Sequence, residues 1–218
     1  MTRPDAEIVR NDDLLLVIDV QRDFCSRGRL AVPDGDAVVP LINRLAAHFK
    51  HIVLTQDWHP AGHTSFASSH REAKPYDQIE LAYGPQTLWP DHCIQQTPGA
   101  EFHPALDSIV FQRAELILRK GFHRKIDSYS AFVENDKQTT TGLAGYLRER
   151  GFRRIFLAGL AYDYCVRFSA VDAVRADFEA VVIQDACHSI GPEGETEREF
   201  AQVGVKQMQS REILDTRE

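Results

Sequence analysis

No apolar run in this 218-residue chain approaches the roughly 20 residues that span a bilayer. The N-terminal stretch MTRPDAEIVRNDD is polar and lacks the apolar core of a secretory signal. A cytoplasmic location with no membrane contact is therefore expected. Basic runs are missing as well: 25 Lys and Arg stand against 32 Asp and Glu, for a net charge of -7. Nucleic acid is not an expected partner, because no basic stripe is present to meet phosphates. Cysteine is sparse. Cys25, Cys93, Cys165 and Cys187 form no Cys-x-x-Cys pair and no short disulfide framework, which points to four reduced thiols. Repeats, linkers and low-complexity tracts are also absent, and one α/β domain over residues 1–218 is expected.

What is present is an alternation of strand and helix patterns. Leu14-Leu15-Leu16-Val17-Ile18 is a continuous apolar run ending in Asp19, as in a parallel strand buried on both faces. Further strands are expected near 51–55, 115–119, 154–158, 179–184 and 205–208. Helical patterns cover about 38–46, 136–150, 163–176 and 195–203. Residues 60–113 have little periodicity, and short helices forming an active-site wall are expected there. The alternation specifies a three-layer α-β-α fold around a mostly parallel six-stranded sheet. Sites in such folds collect beyond the C-terminal strand ends, where Asp19, Asp57, Lys120 and Cys165 all fall.

Cys165 lies in GLAYDYCV, directly after the fourth strand. At a helix N-terminus the dipole and backbone N–H groups favour a thiolate. Asp19 can take the thiol proton and return it to a leaving amine. The Lys120 cation would orient Asp19 and favour the thiolate. The competing readings are a loop-binding carboxylate for Asp19 and a snorkelled surface lysine for Lys120. Backbone N–H groups of Ala161 and Cys165, after Gly159 and Leu160, are candidate oxyanion donors. Cys187 is the rival thiol; it follows a strand but lacks comparable partners. Asp163 is a candidate cap for the helix bearing Cys165. Arg22 and Asp23 suit loop support.

Asp57 and His59, two apart on an extended segment, face the same way, and His92 can complete a metal set. One carboxylate and two imidazoles suit one divalent ion, Zn, Fe or Mn. His63 and Asp91 are alternative ligands or partners of that set. Phe24, Trp89, Tyr129 and Tyr162 are candidates to hold a flat aromatic substrate, with Trp58 and Tyr164 nearby in sequence. Core packing is the competing reading for each ring.

The segments LLVIDVQRDF, TQDWHPAGHTSF, LWPDHC, RKG, GLAYDYCV and VIQDAC occur in order along nearly the whole chain. On these segments the chain resembles the bacterial nicotinamidases of the isochorismatase-like hydrolase superfamily. The resemblance implies Asp19, Lys120 and Cys165 as a catalytic triad and Asp57, His59 and His92 as metal ligands. It also implies a cis peptide between Leu160 and Ala161 that aims the oxyanion donors. The implied reaction converts nicotinamide to nicotinate and ammonia through a thioester, with the metal holding the pyridine nitrogen. Pyrazinamide is a second implied substrate. The implied pathway is NAD salvage, without NAD as a cofactor. A homo-oligomer stays open. Tyr162 stands where many relatives carry threonine, and DACHS where DACRG is frequent; both bear on pocket shape. The alternatives are a cysteine amidohydrolase acting on a carbamoyl or ureido substrate, and an inactive binding protein of the same fold.

Overall fold

In the computed structural model, which describes residues 8–192 and 194–215, β1 (Leu14–Ile18) is buried along its whole length. Residues 1–7 of the polar N-terminal stretch, Glu193 and residues 216–218 of the expected domain lie outside the described residues. Alternation along β1 sets the layering, because successive side chains point to opposite faces. Leu15 and Val17 enter one core, with Ile52, Leu54 and Phe156. Leu14, Leu16 and Ile18 enter the other, with Val53, Ile155 and Leu157.

The other strands are β2 (His51–Asp57), β3 (Gln78–Leu81), β4 (Gly84–Thr87), β5 (Ala114–Lys120), β6 (Arg154–Leu160), β7 (Glu179–His188) and β8 (Lys206–Met208). Six of them form one sheet in the order β5-β2-β1-β6-β7-β8, and every neighbouring pair is parallel. The first core is covered by α1 (Val38–Ala46), α2 (Ser108–Arg113) and α6 (Ser210–Leu214), through Ile42, Val110 and Ile213. The second is covered by α3 (Leu143–Glu149), α4 (Arg167–Arg175) and α5 (Glu195–Val203), through Leu147, Val171 and Phe200. The three layers are those expected. No helix among the described residues is long and apolar enough to cross a membrane.

Strand order reverses at β1. The chain builds outward through β2 and β5, then returns to place β6 on the other side of β1. The β1–β6 seam is therefore the topological switch point, where a crevice opens beyond the strand ends. The two backbones meet tightly here: a Cβ on Gly159 would lie 2.1 Å from the Ile18 carbonyl oxygen, and Gly159 has φ +129°.

Four local expectations are corrected. The helix expected over 136–150 is confined to Leu143–Glu149. The Asp136 carboxylate instead accepts the amides of Gln138 and Thr139, and Thr141 donates its hydroxyl to Ala131 O. Such side-chain bonds to nearby backbone compete with helix. Residues 60–113 hold the expected short helical pieces, at Ala67–Ser69, Pro98–Ala100 and α2, but also an unforeseen β3–β4 hairpin. The hairpin strands, QIEL and GPQT, carry too few apolar residues to show a period. β7 runs on to His188. The short α6 was not anticipated.

Gly159→Ala should cost about 3 kcal/mol of stability or more, through backbone overlap and left-handed strain. Gly145→Ala, inside α3 with open space around it, should stabilise by up to about 1 kcal/mol. Urea denaturation of both variants checks the contrast.

Candidate active site

The parallel sheet brings four polar side chains to one edge. Asp19 immediately follows β1, Asp57 and Lys120 end β2 and β5, and Cys165 lies in the turn after β6. The Lys120 ammonium is buried at their centre. It donates to Asp57 Oδ1 at 2.8 Å, to Ser128 O at 3.0 Å and to Cys165 Sγ at 3.4 Å. Its Nζ also lies 2.8 Å from Asp19 Oδ2. The other Asp19 oxygen, Oδ1, accepts the Thr55 hydroxyl at 2.6 Å. Oδ2 thus has the charge of Lys120 beside it but receives no well-directed hydrogen bond. A lone pair is left to accept a proton.

Burial shapes the protonation states. It raises the pKa of Asp19, and Lys120 offsets this only in part. It also pushes Asp57 upward, but the charges of His59 and Lys120 outweigh it and hold that carboxyl well below its ordinary value. Lys120 is held well above its usual range by Asp19 and Asp57, against the effect of burial. Burial drives the Cys165 thiol well above its ordinary value; Lys120 opposes this, while Asp19 and Asp57 add to it. This direction favours the neutral thiol at Cys165. The helix-end and Lys120 effects expected to favour a thiolate are outweighed by desolvation and two carboxylates.

The local backbone differs from a plain helix start. Tyr162–Val166 form a π-type turn, and α4 begins only at Arg167. Ala161 O accepts the amides of Tyr164 and Val166, and the Leu160–Ala161 peptide is cis. Asp163 caps no helix; its carboxylate accepts the amides of Ile190 and Gly191 and ties down the segment after β7. Cys187 is buried away from Lys120, donates to Ile183 O, and is pushed up to about 12 by desolvation.

Asp57 uses its two oxygens for two purposes. Oδ1 binds Lys120, while Oδ2 lies 3.0 Å from His59 Nε2 and 3.4 Å from His92 Nε2. The ligand atoms of Asp57, His59 and His92 all lie within 4.8 Å of one another. His59 Nδ1 donates to Gly121 O and His92 Nδ1 to Pro90 O, each at 2.8 Å. With Nδ1–H of each ring held by a carbonyl, each Nε2, once free of its proton, can give an electron pair to a divalent metal. The set fits such an ion in ligand type and number. His63 is differently engaged: Nδ1 meets the Ser65 hydroxyl and Nε2 the His123 carbonyl, and burial lowers its pKa to about 4. It stacks 4.4 Å from His59 as a neutral ring. Asp91 accepts the Ser68 hydroxyl and stands outside the cluster.

Phe24, Trp89 and Tyr129 line a small cavity together with Cys165, Ala161, Asp57, His59 and His92. Tyr162 does not. Its ring packs on Phe200 and its hydroxyl donates to Gln207, because the π-type turn aims it away from the cavity. Tyr164 occupies the wall instead. Sequence reasoning also missed Thr55, Gln21 and Asp127. Thr55 was detectable, since residues two before Asp57 on a strand share its face. Gln21 clamps the end of β2, donating to Asp57 O and accepting the Asp57 amide. Asp127 adds a buried carboxylate to the wall. No local pattern marks either residue.

Residues 13–211 match the Isochorismatase domain family. The chain belongs to this family. It is 50% identical to a nicotinamidase of Acinetobacter baylyi, over 94% of this chain and 95% of the relative. Its fold superposes with a TM-score of 0.90 on an Acinetobacter baumanii nicotinamidase/pyrazinamidase, at 50% identity and covering 94% of this chain and 99% of that one. A zinc complex of the Pyrococcus horikoshii pyrazinamidase matches with a TM-score of 0.71 at 36% identity, covering 91% of this chain and 99% of that one.

Gly121 faces His59 so closely that a Cβ would lie 2.5 Å from its Cε1, at φ +67°. Gly121→Ala should displace the imidazole and lower zinc affinity roughly 10-fold or more. Chelator competition against the wild-type protein measures it.

Proposed function

We propose that this chain is a metal-dependent cysteine amidase that converts nicotinamide to nicotinate and ammonia, and also hydrolyses pyrazinamide. The observation that carries this reading is the single buried ammonium of Lys120, in contact with Asp19, Cys165 and Asp57 at once. It joins a nucleophile and a base to the carboxylate of a three-ligand metal set. The close likeness to nicotinamidases over nearly the whole chain supports the substrate.

The neutral Cys165 thiol passes its proton to Asp19 as Sγ attacks the carboxamide carbon. Lys120 offsets the negative charge as it moves between the two groups. The Ala161 and Cys165 amides receive the oxyanion. Protonated Asp19 then gives its proton to the departing nitrogen, ammonia leaves, and an acyl thioester remains on Cys165. Asp19 next takes a proton from water, whose oxygen attacks the thioester; nicotinate departs and the thiol is restored. Phe24, Trp89 and Tyr129 sandwich the flat ring. Asp57, His59 and His92 would hold a divalent ion, Zn, Fe or Mn, which when bound would supply a Lewis acid for the ring nitrogen. Hydrolysis moves no hydride, so NAD is no cofactor; it is the end of the salvage route that this cytoplasmic enzyme serves.

Cys165→Ala should abolish ammonia release, and Asp19→Asn should lower it about 100-fold or more. Cys187→Ala should stay within a few-fold of wild type. A coupled ammonia assay with nicotinamide and pyrazinamide decides: near-normal turnover by folded Cys165→Ala protein would sink the assignment. His59→Ala and His92→Ala should lose metal and nicotinamide affinity while Cys165 alkylation persists.

The neutral thiol gives a pH prediction. In metal-free protein, iodoacetamide alkylation of Cys165 should be slow near neutrality and accelerate only above the ordinary thiol range, because the folded pKa is raised. Lys120→Met removes the one cation lowering that pKa and should slow alkylation further at any given pH. Peptide mass spectrometry across a pH series reads both rates.

A further inference from the structure

The cavity at Cys165 is small. It measures about 20 Å³, room for roughly one water. Pockets that take a ring-sized ligand are typically of a few hundred Å³. Some part of the wall must therefore yield before an aromatic amide can reach the thiol. Beside it lies a much larger outer cavity of about 520 Å³, between the β3–β4 hairpin and the N-terminal parts of α4 and α5. Tyr129 and Tyr164 line both cavities and form the partition between them.

The two rings are held differently. The Tyr129 hydroxyl accepts Gln86 Nε2 at 2.8 Å and Trp89 Nε1 at 3.2 Å, and its ring packs 5.2 Å from Phe168. Two donors from different parts of the wall pin it in place. Tyr164 is half-buried and sits on the π-type turn next to Cys165. Its ring makes edge contacts with Trp89 at 4.7 Å and Tyr129 at 5.4 Å. Such edge contacts are weak one by one, whereas Tyr129 keeps two directed hydrogen bonds besides. Tyr164 is the part of the partition that moves at least cost.

The geometry points to Tyr164 as the movable partition of the site and to the outer cavity as a second subsite. The aromatic amide passes from the outer cavity when the Tyr164 ring swings aside. With the displaced ring closed as far as a bound amide allows, the inner site holds a single six-membered ring and rejects larger ones. Removing the ring merges the two cavities and admits fused or ring-substituted aromatic carboxamides. The rings of Tyr129 and Phe168 and the polar Gln86, Thr87 and Asp163 suit such amphipathic extensions. The substrate class assumes the amidase reading; the partition itself does not.

Two measurements separate these claims. The first compares alkylation of Cys165 by iodoacetamide and by the bulkier N-phenylmaleimide at one pH, read by peptide mass spectrometry. Tyr164→Ala should raise the ratio of the maleimide rate to the iodoacetamide rate at least ten-fold. Tyr164→Leu, which removes the flat ring but keeps an apolar contact, should raise it in the same direction. Tyr164→Phe should keep the wild-type ratio. The second compares kcat/KM for quinoline-3-carboxamide and 5-bromonicotinamide with that for nicotinamide. Tyr164→Ala and Tyr164→Leu should shift the ratio toward the larger amides at least ten-fold. An unchanged alkylation ratio in both ring-removing variants would overturn the partition. A shifted alkylation ratio with no gain on either larger amide would overturn the subsite. A shifted alkylation ratio in a protein that hydrolyses no nicotinamide would overturn the amidase reading and leave the partition standing.

Discussion

A single buried ammonium is the constraint on which the rest of the structure depends. Taking the Lys120 charge out of water costs several kcal/mol unless acceptors surround it. The fold supplies them from four places: Asp19 after β1, Asp57 at the end of β2, Ser128 from the segment after β5, and Cys165 after β6. Each is in place only if the strands keep parallel register and β1 and β6 approach closely at Gly159. The site and the sheet are thus one cooperative object. Because Asp57 binds Lys120 through one oxygen and faces two imidazoles through the other, it joins the Asp57–His59–His92 cluster to the Lys120–Cys165 pair.

The protonation pattern gives this arrangement its chemical character. A neutral, desolvated thiol is a poor target for chance oxidants, since the thiolate is the reactive form. Its partner Asp19 is itself raised by burial, which makes it a better acceptor for the thiol proton. Transfer to Asp19 then accompanies attack on the amide.

Much of this was legible in the sequence because the fold writes its active edge in a simple code. The apolar runs of β1 and β2 leave few polar residues, so Asp19 and Asp57 at their ends stand out; Lys120 is the buried end of β5, an edge strand with exposed alternate positions. Asp57 and His59 could be paired by strand alternation alone. What stayed hidden depended on contacts between distant segments. Gln21 acts through the end of β2, 36 residues away in sequence. The thiol's protonation state depends on the balance of three buried charges. Tyr162 and Tyr164 exchanged places because a π-type turn has neither the helix nor the strand period. Asp163 left its expected cap to hold Ile190 and Gly191, partners that no local pattern identifies. The helix over 136–150 was overextended because Asp136 and Thr141 bond nearby backbone, an outcome that apolar spacing does not record.

The central claim is that Lys120 makes the nucleophile and base function as a unit. The most direct measurement is single-turnover acylation of Cys165 in Lys120→Met protein, loaded with zinc and saturated with nicotinamide. Rapid quenching followed by peptide mass spectrometry detects the nicotinoyl thioester. The account predicts that thioester formation falls about 100-fold or more while zinc and nicotinamide still bind. Formation of the Cys165 thioester at the wild-type rate in that variant would contradict it.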